Sequence, residues 1–360
     1  MKFNSEIYQK TARLIHVLPK GREKARNILF SWWNSYPSWD PWILKDGDVY
    51  RLFYLVGPRG SNIWWIQGKI CGAISHDMKF WEDIGVLLDV NPDNAWESGR
   101  MLAGCTHKED DIYYLFYSAA GEGAEIMNEG IGIATSVDGL HWQRSLTNQL
   151  VKPDNNYRWY GRFKRQMGDD EYDHYQWRDP YVVKDHQTGK YYMFICAYLK
   201  EGGEGKFRGC VGVAVADKIT GPYQLLPPAA IPVIEGTNES PYYEMERPQV
   251  IYKNGQYHLF FSCWTTWLNP KWIEKVGKDQ ITDSSLYWYV SDCITGPFKP
   301  VSEKPVVQGS EKTGMYGTNF FPSPDNPDEF IAYGWYYKRM TLALSPLHRV
   351  CWNNHSISIN

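Results

Sequence analysis

The chain has 360 residues, and its 38 Lys and Arg against 41 Asp and Glu give a net charge of −3. With no basic arm or stripe, nucleic acids and anionic membranes are not expected as partners. Aromatic residues make up 16% of the chain, and rings beside polar residues and glycines suit sugar binding, although strand-rich proteins are aromatic-rich in general.

Helical periodicity is convincing only at the start of the chain, where residues 5–17 and 21–31 predict two short helices. We therefore expect an N-terminal helical extension over residues 1–30 and one domain over residues 31–360. The first residues lack the apolar run of a signal peptide, and no stretch of about 18 apolar residues predicts a membrane span. The seven cysteines include no CxxC pair. They read as buried thiols in a reducing compartment, so a cytoplasmic location is expected.

From residue 40 onward the chain repeats one pattern, in which a first strand, a turn and an aromatic second strand follow each other. The copies begin at Asp40 (DPWILKDGDVYRLFYL), Asp179 (DPYVVKDHQTGKYYMFIC) and Glu246 (ERPQVIYKNGQYHLFFSC), with weaker ones at Met101 and Tyr316. Small-residue strands follow four of them. Five units of about four strands predict an all-β fold, a five-bladed β-propeller with a short N-terminal helical segment. Two β-sandwich domains are the competing architecture, but no linker divides the chain.

Two polar or Trp-rich segments fall outside the repeat. Residues 144–176 predict a long insertion between blades. The segment 264–272 (WTTWLNPKW) predicts either a loop over the axis that forms an outer sugar subsite or a loop packed on its own blade.

Acidic residues stand at the start of three repeats: Asp40, Asp179 and Glu246. The first strand of each propeller blade lines the axis, so we expect these carboxyl groups to converge at one end of it. An Asp before Pro is by itself usually a turn residue, but turn chemistry does not explain the recurrence. Like charges in a confined site raise one another's pKa, which suits a general acid working beside an ionised partner.

The motifs around these acids resemble those of a known group of enzymes. They are YPSWDPW at Asp40, Arg178-Asp179-Pro180, Glu244-Met-Glu-Arg-Pro248 and Trp96-Glu-Ser-Gly99. Together they are similar to the five-bladed furanosidase propellers of glycoside hydrolase families 32 and 68, and more distantly of family 43.

The resemblance implies a retaining β-fructofuranosidase or fructosyltransferase acting on an oligosaccharide or a sucrose-like substrate. In it Asp40 is the nucleophile, Glu246 the general acid/base, and Asp179 the residue that stabilises the transition state. The expected sugar-facing residues are Trp39, Ser98, Trp177, Arg178, Glu244 and Arg247. Neither a cofactor nor a catalytic metal is expected, and a structural calcium stays open.

Two alternatives stay open. The blade-one segment is closer to the family 43 pattern, which would make the chain an inverting arabinofuranosidase-type glycosidase. Carboxyl groups about 5 Å apart favour retention and about 6.5–9.5 Å favour inversion. A non-catalytic carbohydrate-binding propeller would keep the aromatic residues without needing all three acids. The oligomeric state is also left open.

Overall fold

The computed structural model describes residues 36–59, 64–122, 128–145, 149–153, 157–167, 170–200, 206–302, 313–336, 343–353 and 356–360. The predicted helical extension over residues 1–30 lies outside these described residues.

Five antiparallel sheets surround one axis, which confirms the predicted five-bladed β-propeller. Blades one and two consist of β1 (Ser38–Asp46), β2 (Val49–Val56), β3 (Lys69–Ser75) and β4 (Glu82–Leu88), then β5 (Arg100–Glu109), β6 (Ile112–Ala120), β7 (Glu129–Ser136) and β8 (Gln143–Arg144). Blades three and four consist of β11 (Trp177–Lys184), β12 (Tyr191–Tyr198), β13 (Gly209–Ala216) and β14 (Gln224–Ala230), then β15 (Glu246–Lys253), β16 (Gln256–Ser262), β17 (Leu286–Ser291) and β18 (Lys299–Pro300). Blade five consists of β19 (Met315–Pro322), β20 (Phe330–Tyr336), β21 (Ala343–Leu344), β22 (His348–Asn353) and β23 (Ser356–Ile359).

The polar segment between blades two and three carries a separate hairpin, formed by β9 (Phe163–Met167) and β10 (Asp170–His174). This two-stranded sheet belongs to none of the five blades. The interruption predicted over residues 144–176 is therefore present as an added element.

Short helices lie in the connections. Among the described residues, 3₁₀-helices lie at Trp64–Gln67, Ala95–Glu97, Thr265–Trp267 and Lys278–Gln280. The α-helix α1 (Pro270–Val276) begins after Asn269, whose side chain accepts a hydrogen bond from the Lys271 N–H. This is the usual N-cap arrangement, with proline in the first turn, where its missing N–H is harmless. Trp272 on α1 is buried in the core between blades three and four, so this part of the Trp-rich segment packs on its own blade.

One aromatic residue recurs at the same register position of the second strand in each blade. In blades one to four this residue is Phe53, Phe116, Phe194 and Phe260, and in blade five it is Tyr333. Each pairs with the first-strand residue that lies three positions after the last residue paired before the irregularity in that strand. All five side chains are buried. Packing of sheet on sheet through such residues supplies the core that a lone four-stranded sheet lacks.

Candidate active site

In all five blades the first strand is interrupted by a bulge at the same place, which in blade two lies between Leu102 and Gly104. The other four bulges share one form. Their residue pairing shifts between Trp39 and Trp42, Arg178 and Tyr181, Glu246 and Gln249, and Tyr316 and Asn319. The bulge residue has a positive φ in each case: Asp40 (48°), Asp179 (56°), Arg247 (55°) and Gly317 (59°). Such bulges bend a strand and re-aim its side chains, and a positive φ is strained for the three that are not glycine.

The register corrects one expectation from the sequence. Asp40 and Asp179 do occupy the same position of the repeat, but Glu246 stands one residue earlier, in line with Trp39 and Arg178. The bulge residue of blade four is Arg247, because the prolines at 41, 180 and 248 are the residues that align. Glu246 therefore reaches the acidic cluster from a different backbone position than the two aspartates do.

The side chain of Asp40 lies between blade four and blade five. Its Oδ1 accepts a hydrogen bond from the Trp335 indole N–H at 3.1 Å and lies 3.9 Å from Nε of Arg247. Burial is the main reason that the pKa of Asp40 rises to about 7. The charge of Arg247 opposes this rise, while the nearby carboxyl groups of Asp179 and Glu246 add to it.

Asp179 links blades two, three and four. Its backbone N–H donates to Ser118 Oγ at 3.1 Å, and its Oδ2 accepts from the backbone N–H of Arg247 at 3.0 Å. Its side chain is buried. The carboxylate is therefore oriented by one main-chain N–H of the neighbouring bulge, while Ser118 of blade two anchors the Asp179 backbone.

Glu246 is held from two sides. Its Oε1 accepts from Nη2 of Arg178 at 2.8 Å, and its Oε2 accepts a short hydrogen bond from the Tyr316 hydroxyl. Burial raises the pKa of Glu246 above its usual value against the charge of Arg178, and the charge of Asp179 adds to the rise. A carboxyl group with a raised pKa can hold a proton near neutral pH, as a general acid must.

Arg178 is the centre of the acidic cluster. Nη1 lies 3.3 and 3.2 Å from the two carboxylate oxygens of Glu129, and Nη2 donates at 2.8 Å to both Glu244 and Glu246. Nε also lies 3.8 Å from Oδ2 of Asp179. The bulge lets these sequence neighbours approach, although adjacent residues on a regular strand point to opposite faces. One guanidinium thus faces four carboxyl groups. Burial opposes its charge, but neighbouring groups that include Glu129, Glu246 and Glu244 outweigh burial, so the pKa of Arg178 is raised well above its usual value and the group stays charged.

Glu244, in the sequence before β15, completes the group of acids. Its Oε2 also accepts from the Gln176 side-chain amide at 3.0 Å. Burial raises the pKa of Glu244 to about 8, and the charge of Glu246 adds to the effect against the opposing charge of Arg178. Asp40, Glu244 and Glu246 all face other acids, so the loss of a proton from one of them raises the pKa of the others.

Arg247 lies beneath the carboxylates and joins three blades. Its Nη2 donates to the Pro41 carbonyl at 3.0 Å and its Nη1 approaches the Gly104 carbonyl at 3.5 Å. A cavity of 340 Å³ extends along the axis from this point, lined by the first strands of all five blades. The sequence suggested that Arg247 contacts sugar, whereas the structure uses its guanidinium to hold backbone carbonyls.

The other predicted sugar-facing residues take different positions. Arg178 and Glu244 lie in the cluster, and the Trp39 ring packs in the core between blades one and two, over Gly68. The Ser98 hydroxyl bonds to the Ala95 carbonyl at 3.1 Å and accepts weakly from the Glu122 N–H at 3.4 Å. The bonds of Ser98 thus join parts of blade two rather than acids of the cluster.

Trp177 is a clear correction. Its side chain is 0% exposed, and its indole N–H donates to the Val151 carbonyl at 2.8 Å. The ring packs between blades two and three, at 5.2 Å from Tyr160. Since Arg178 faces the axis, its neighbour on the strand faces away from it, so Trp177 has no face to offer to a sugar.

We therefore expect Trp177→Phe to act on stability alone. The substitution removes a buried hydrogen bond and leaves the Val151 carbonyl without this donor, which predicts a loss of about 1–3 kcal/mol in the free energy of unfolding. Urea unfolding followed by tryptophan fluorescence measures it. A free energy of unfolding within about 0.5 kcal/mol of the wild-type value would contradict this placement.

Three residues of the site escaped the sequence analysis. Glu129 on β7 is buried against Arg178 and also lies 3.7 Å from Nη2 of Arg100. Tyr316 and Trp335 come from blade five, which has no acid in its first strand. Only Tyr316 carried a signal, because it stands at the repeat position of Trp39 and Arg178.

The described residues form neither a cluster suited to a metal ion nor a helix suited to a membrane span. Within the described ranges, no group of three or more His, Cys, Asp and Glu side chains is arranged to hold a metal ion. Among those same residues, every helix is too short or too polar to pass through a lipid bilayer.

The chain is similar to known proteins both in sequence and in structure. Residues 40–207 match the family profile described as "Glycosyl hydrolases family 32 N-terminal domain". A levansucrase of Erwinia amylovora is 28% identical over 168 residues, which cover 40% of this chain and 37% of that protein. A levansucrase of Rahnella aquatilis is 23% identical over 280 residues, which cover 70% of this chain and 61% of that protein. The chain thus spans less than two thirds of the length of these curated relatives.

Two solved structures share the fold over most of their length. The inulosucrase from Halalkalicoccus jeotgali bound to kestose aligns with a TM-score of 0.69 at 21% identity, covering 90% of this chain and 87% of that one. The levansucrase of Bacillus subtilis aligns with a TM-score of 0.67 at 15% identity, covering 92% and 87%. With the family 32 match over residues 40–207, the chain resembles the furanosidase-type propellers of glycoside hydrolase families 32 and 68, whose five-bladed fold it shares.

Proposed function

We propose that this protein is a retaining β-fructofuranosidase or fructosyltransferase that acts on a sucrose-like substrate. The observation that carries the proposal is the convergence of Asp40, Asp179 and Glu246. Contacts through Arg178 and Arg247 join these three carboxyl groups, although they come from three different blades. The levansucrase and inulosucrase relatives support a fructoside as the sugar.

In the proposed reaction, Asp40 attacks the anomeric carbon of the fructosyl unit while the bond to the leaving-group oxygen breaks. Glu246 gives its proton to that oxygen, so the glucose leaves neutral and a covalent fructosyl ester forms on Asp40. In the second half, Glu246 takes a proton from water or from a sugar hydroxyl, whose oxygen replaces Asp40 at the same carbon. Two displacements retain the configuration.

The charges of the site favour such a transition state. Five buried or half-buried carboxyl groups, those of Asp40, Glu129, Asp179, Glu244 and Glu246, face three guanidinium groups, those of Arg100, Arg178 and Arg247. An oxocarbenium-like sugar carries developing positive charge, which fixed carboxylates stabilise best where water is excluded. The Asp179 carboxylate accepts from the Arg247 backbone N–H, and the Asp179 backbone N–H donates to Ser118 Oγ, so the residue would keep its orientation through the reaction.

The raised pKa values of Asp40 and Glu246 set the expected pH dependence of the reaction. Attack needs an ionised Asp40, and protonation of the leaving group needs a protonated Glu246. Both groups have raised pKa values, so the proposal predicts a bell-shaped dependence of kcat/KM on pH, with its acid limb near neutral pH. Measurement between pH 5 and 9 checks it, and a profile flat over that range would contradict it.

The proposed function is tested by incubating the protein with sucrose, 1-kestose and an aryl arabinofuranoside and following the released sugars and their anomers by NMR. We expect glucose release from sucrose, with fructose appearing first as the β-anomer or within a longer fructan. Turnover of the arabinofuranoside alone would instead favour the family 43-like alternative.

Two variants separate catalysis from binding in this assay. Glu246→Gln keeps the shape of the side chain, but the amide cannot donate a proton to the leaving group. Turnover should therefore fall by about 10²–10⁴-fold, while calorimetry should still detect sucrose binding. Glu235→Gln replaces a surface glutamate whose side chain is 88% exposed and should match the wild type. If the folded wild-type protein binds sucrose without turnover, the chain is a binding module.

A further inference from the structure

Blade five brings hydrogen-bond donors to the acidic cluster in place of an acid. Tyr316 on β19 and Trp335 on β20 are direct partners across the two strands. The Tyr316 hydroxyl donates to Glu246, and the Trp335 indole N–H donates to Asp40. One pair of neighbouring side chains therefore reaches both of the residues to which the proposed function assigns proton transfer and attack.

We propose that Trp335 is a positioning residue for the nucleophile: its indole N–H holds Oδ1 of Asp40 so that Oδ2 is presented to the anomeric carbon. This inference rests on the proposed function only for the role of Asp40. Nε of Arg247 also lies nearest to Oδ1. The guanidinium of Arg247 and the indole of Trp335 thus face the same oxygen of Asp40. The indole is a donor only, and therefore stabilises the ionised form of the carboxyl group.

The backbone of blade five is shaped for this contact. Gly317 is the bulge residue there, at the position that Asp40 and Asp179 occupy in their blades, and its φ is +59°. A Cβ atom at Gly317 would lie 3.1 Å from Nε1 of Trp335 and 3.3 Å from Oδ1 of Asp40. It would thus stand beside the hydrogen bond, against both of its atoms, so glycine keeps the space in which donor and acceptor meet.

The indole has little freedom to leave this position. Trp335 is only 2% exposed. Its ring meets that of Trp264 at 5.7 Å and that of Tyr316 at 5.5 Å, both edge to face. Such packing fixes the direction of the N–H bond before substrate arrives, and preorganised donors of this kind need no rearrangement during the reaction.

The charged groups that face Asp40 set the effect of losing the donor. They are Arg247 from blade four, which favours the carboxylate, and Asp179 and Glu246 from blades three and four, which oppose it. Without the Trp335 N–H, the carboxylate loses one of its two stabilising neighbours, and a higher pH is needed to ionise it. Loss of activity should therefore be greatest at low pH.

The test is Trp335→Phe, with Trp352→Phe as the matched control. Trp352 lies in the same blade but packs among aromatic rings, including those of Phe260 and Phe320. For Trp335→Phe we expect the acid limb of kcat/KM for sucrose to move up by about one pH unit. The value of kcat should fall about tenfold at pH 6 and less than about threefold at pH 8, with KM within about twofold. The control should keep the wild-type profile.

A second readout does not depend on turnover. The Asp40 carboxyl carbon, assigned by its loss in Asp40→Asn, can be titrated by ¹³C NMR in the wild-type protein and in each variant. Its midpoint should rise in Trp335→Phe, and also in Gly317→Ala, which crowds the same contact and serves if the first variant does not fold. An unchanged midpoint, or an activity loss equal at every pH, overturns the inference. A raised midpoint in a protein that never turns over sucrose supports the contact and rejects the proposed function instead.

Discussion

Replacing Asp40 by asparagine is expected to lower kcat on sucrose by about four orders of magnitude or more. The amide keeps the size of the carboxyl group and can still meet the Trp335 indole through its oxygen. It cannot form the covalent ester, however, so the first displacement loses its nucleophile. The folded state should be retained or stabilised, because burial already raises the pKa of Asp40 to about 7, which means that its charged form is disfavoured in the fold.

The measurement is single-turnover glucose release together with calorimetric binding of sucrose. Asp48→Asn is the control, since Asp48 is exposed in the turn of the same hairpin, between β1 and β2. It should match the wild-type protein in both experiments. An Asp40→Asn variant that kept a tenth of the wild-type rate would show that another group attacks the sugar, and the assignment of the nucleophile would have to be abandoned.

The fold could be predicted because the sequence contains an internal repeat. Each blade begins with an apolar strand, a turn and an aromatic second strand, and the buried aromatic residues at Phe53, Phe116, Phe194 and Phe260 keep the same register. A pattern that recurs five times needs no comparison with other sequences to be seen. The insertion between blades two and three was visible for the opposite reason, since its polar residues do not fit the pattern.

The placement of Glu246 shows where motif alignment reaches its limit. The acid begins its repeat just as Asp40 and Asp179 do, yet the bulge is set by the residue before proline, which is Arg247 in blade four. Register at a bulge depends on one extra residue that strand alternation does not reveal. Trp177, by contrast, could have been placed correctly: an Arg178 that faces the axis requires its neighbour to face away.

The contact that Trp335 of blade five makes with Asp40 could not be read from the sequence. Trp335 lies on a second strand, far along the chain from Asp40, and reaches it only because the last blade packs beside the first around a closed ring. Glu129 likewise meets Arg178 from a third strand. Such partners come together only when the propeller closes. No local pattern in the sequence shows which side chains will then be in contact.

Replacing Arg178 by methionine is expected to give the largest loss of stability among these variants. The guanidinium contacts Glu129, Glu244 and Glu246 within 3.3 Å. Methionine fills a similar volume but leaves these buried acids without their shared cation. Removing one partner of a buried ion pair destabilises a protein by roughly 3–5 kcal/mol, and urea unfolding measures it. Turnover should fall as well, because Glu246 loses the donor on Oε1.

The pH dependence separates this cause from a packing defect. In the wild-type protein the charge of Arg178 lowers the pKa values of Glu244 and Glu246. Without Arg178, both pKa values therefore rise further in the folded protein. The folded variant then binds protons that the unfolded chain releases, so its stability falls as pH rises. The destabilisation should therefore be larger at pH 8 than at pH 5. Arg51→Met removes the partner of a single carboxylate, Asp46, together with hydrogen bonds to the Tyr113 hydroxyl and the Asp138 carbonyl. Because Asp46 keeps its ion pair with Lys108, this variant should lose less stability, about 1 kcal/mol. A loss for Arg178→Met that is the same at both pH values would mean that shape, rather than charge, is what Arg178 contributes to the fold.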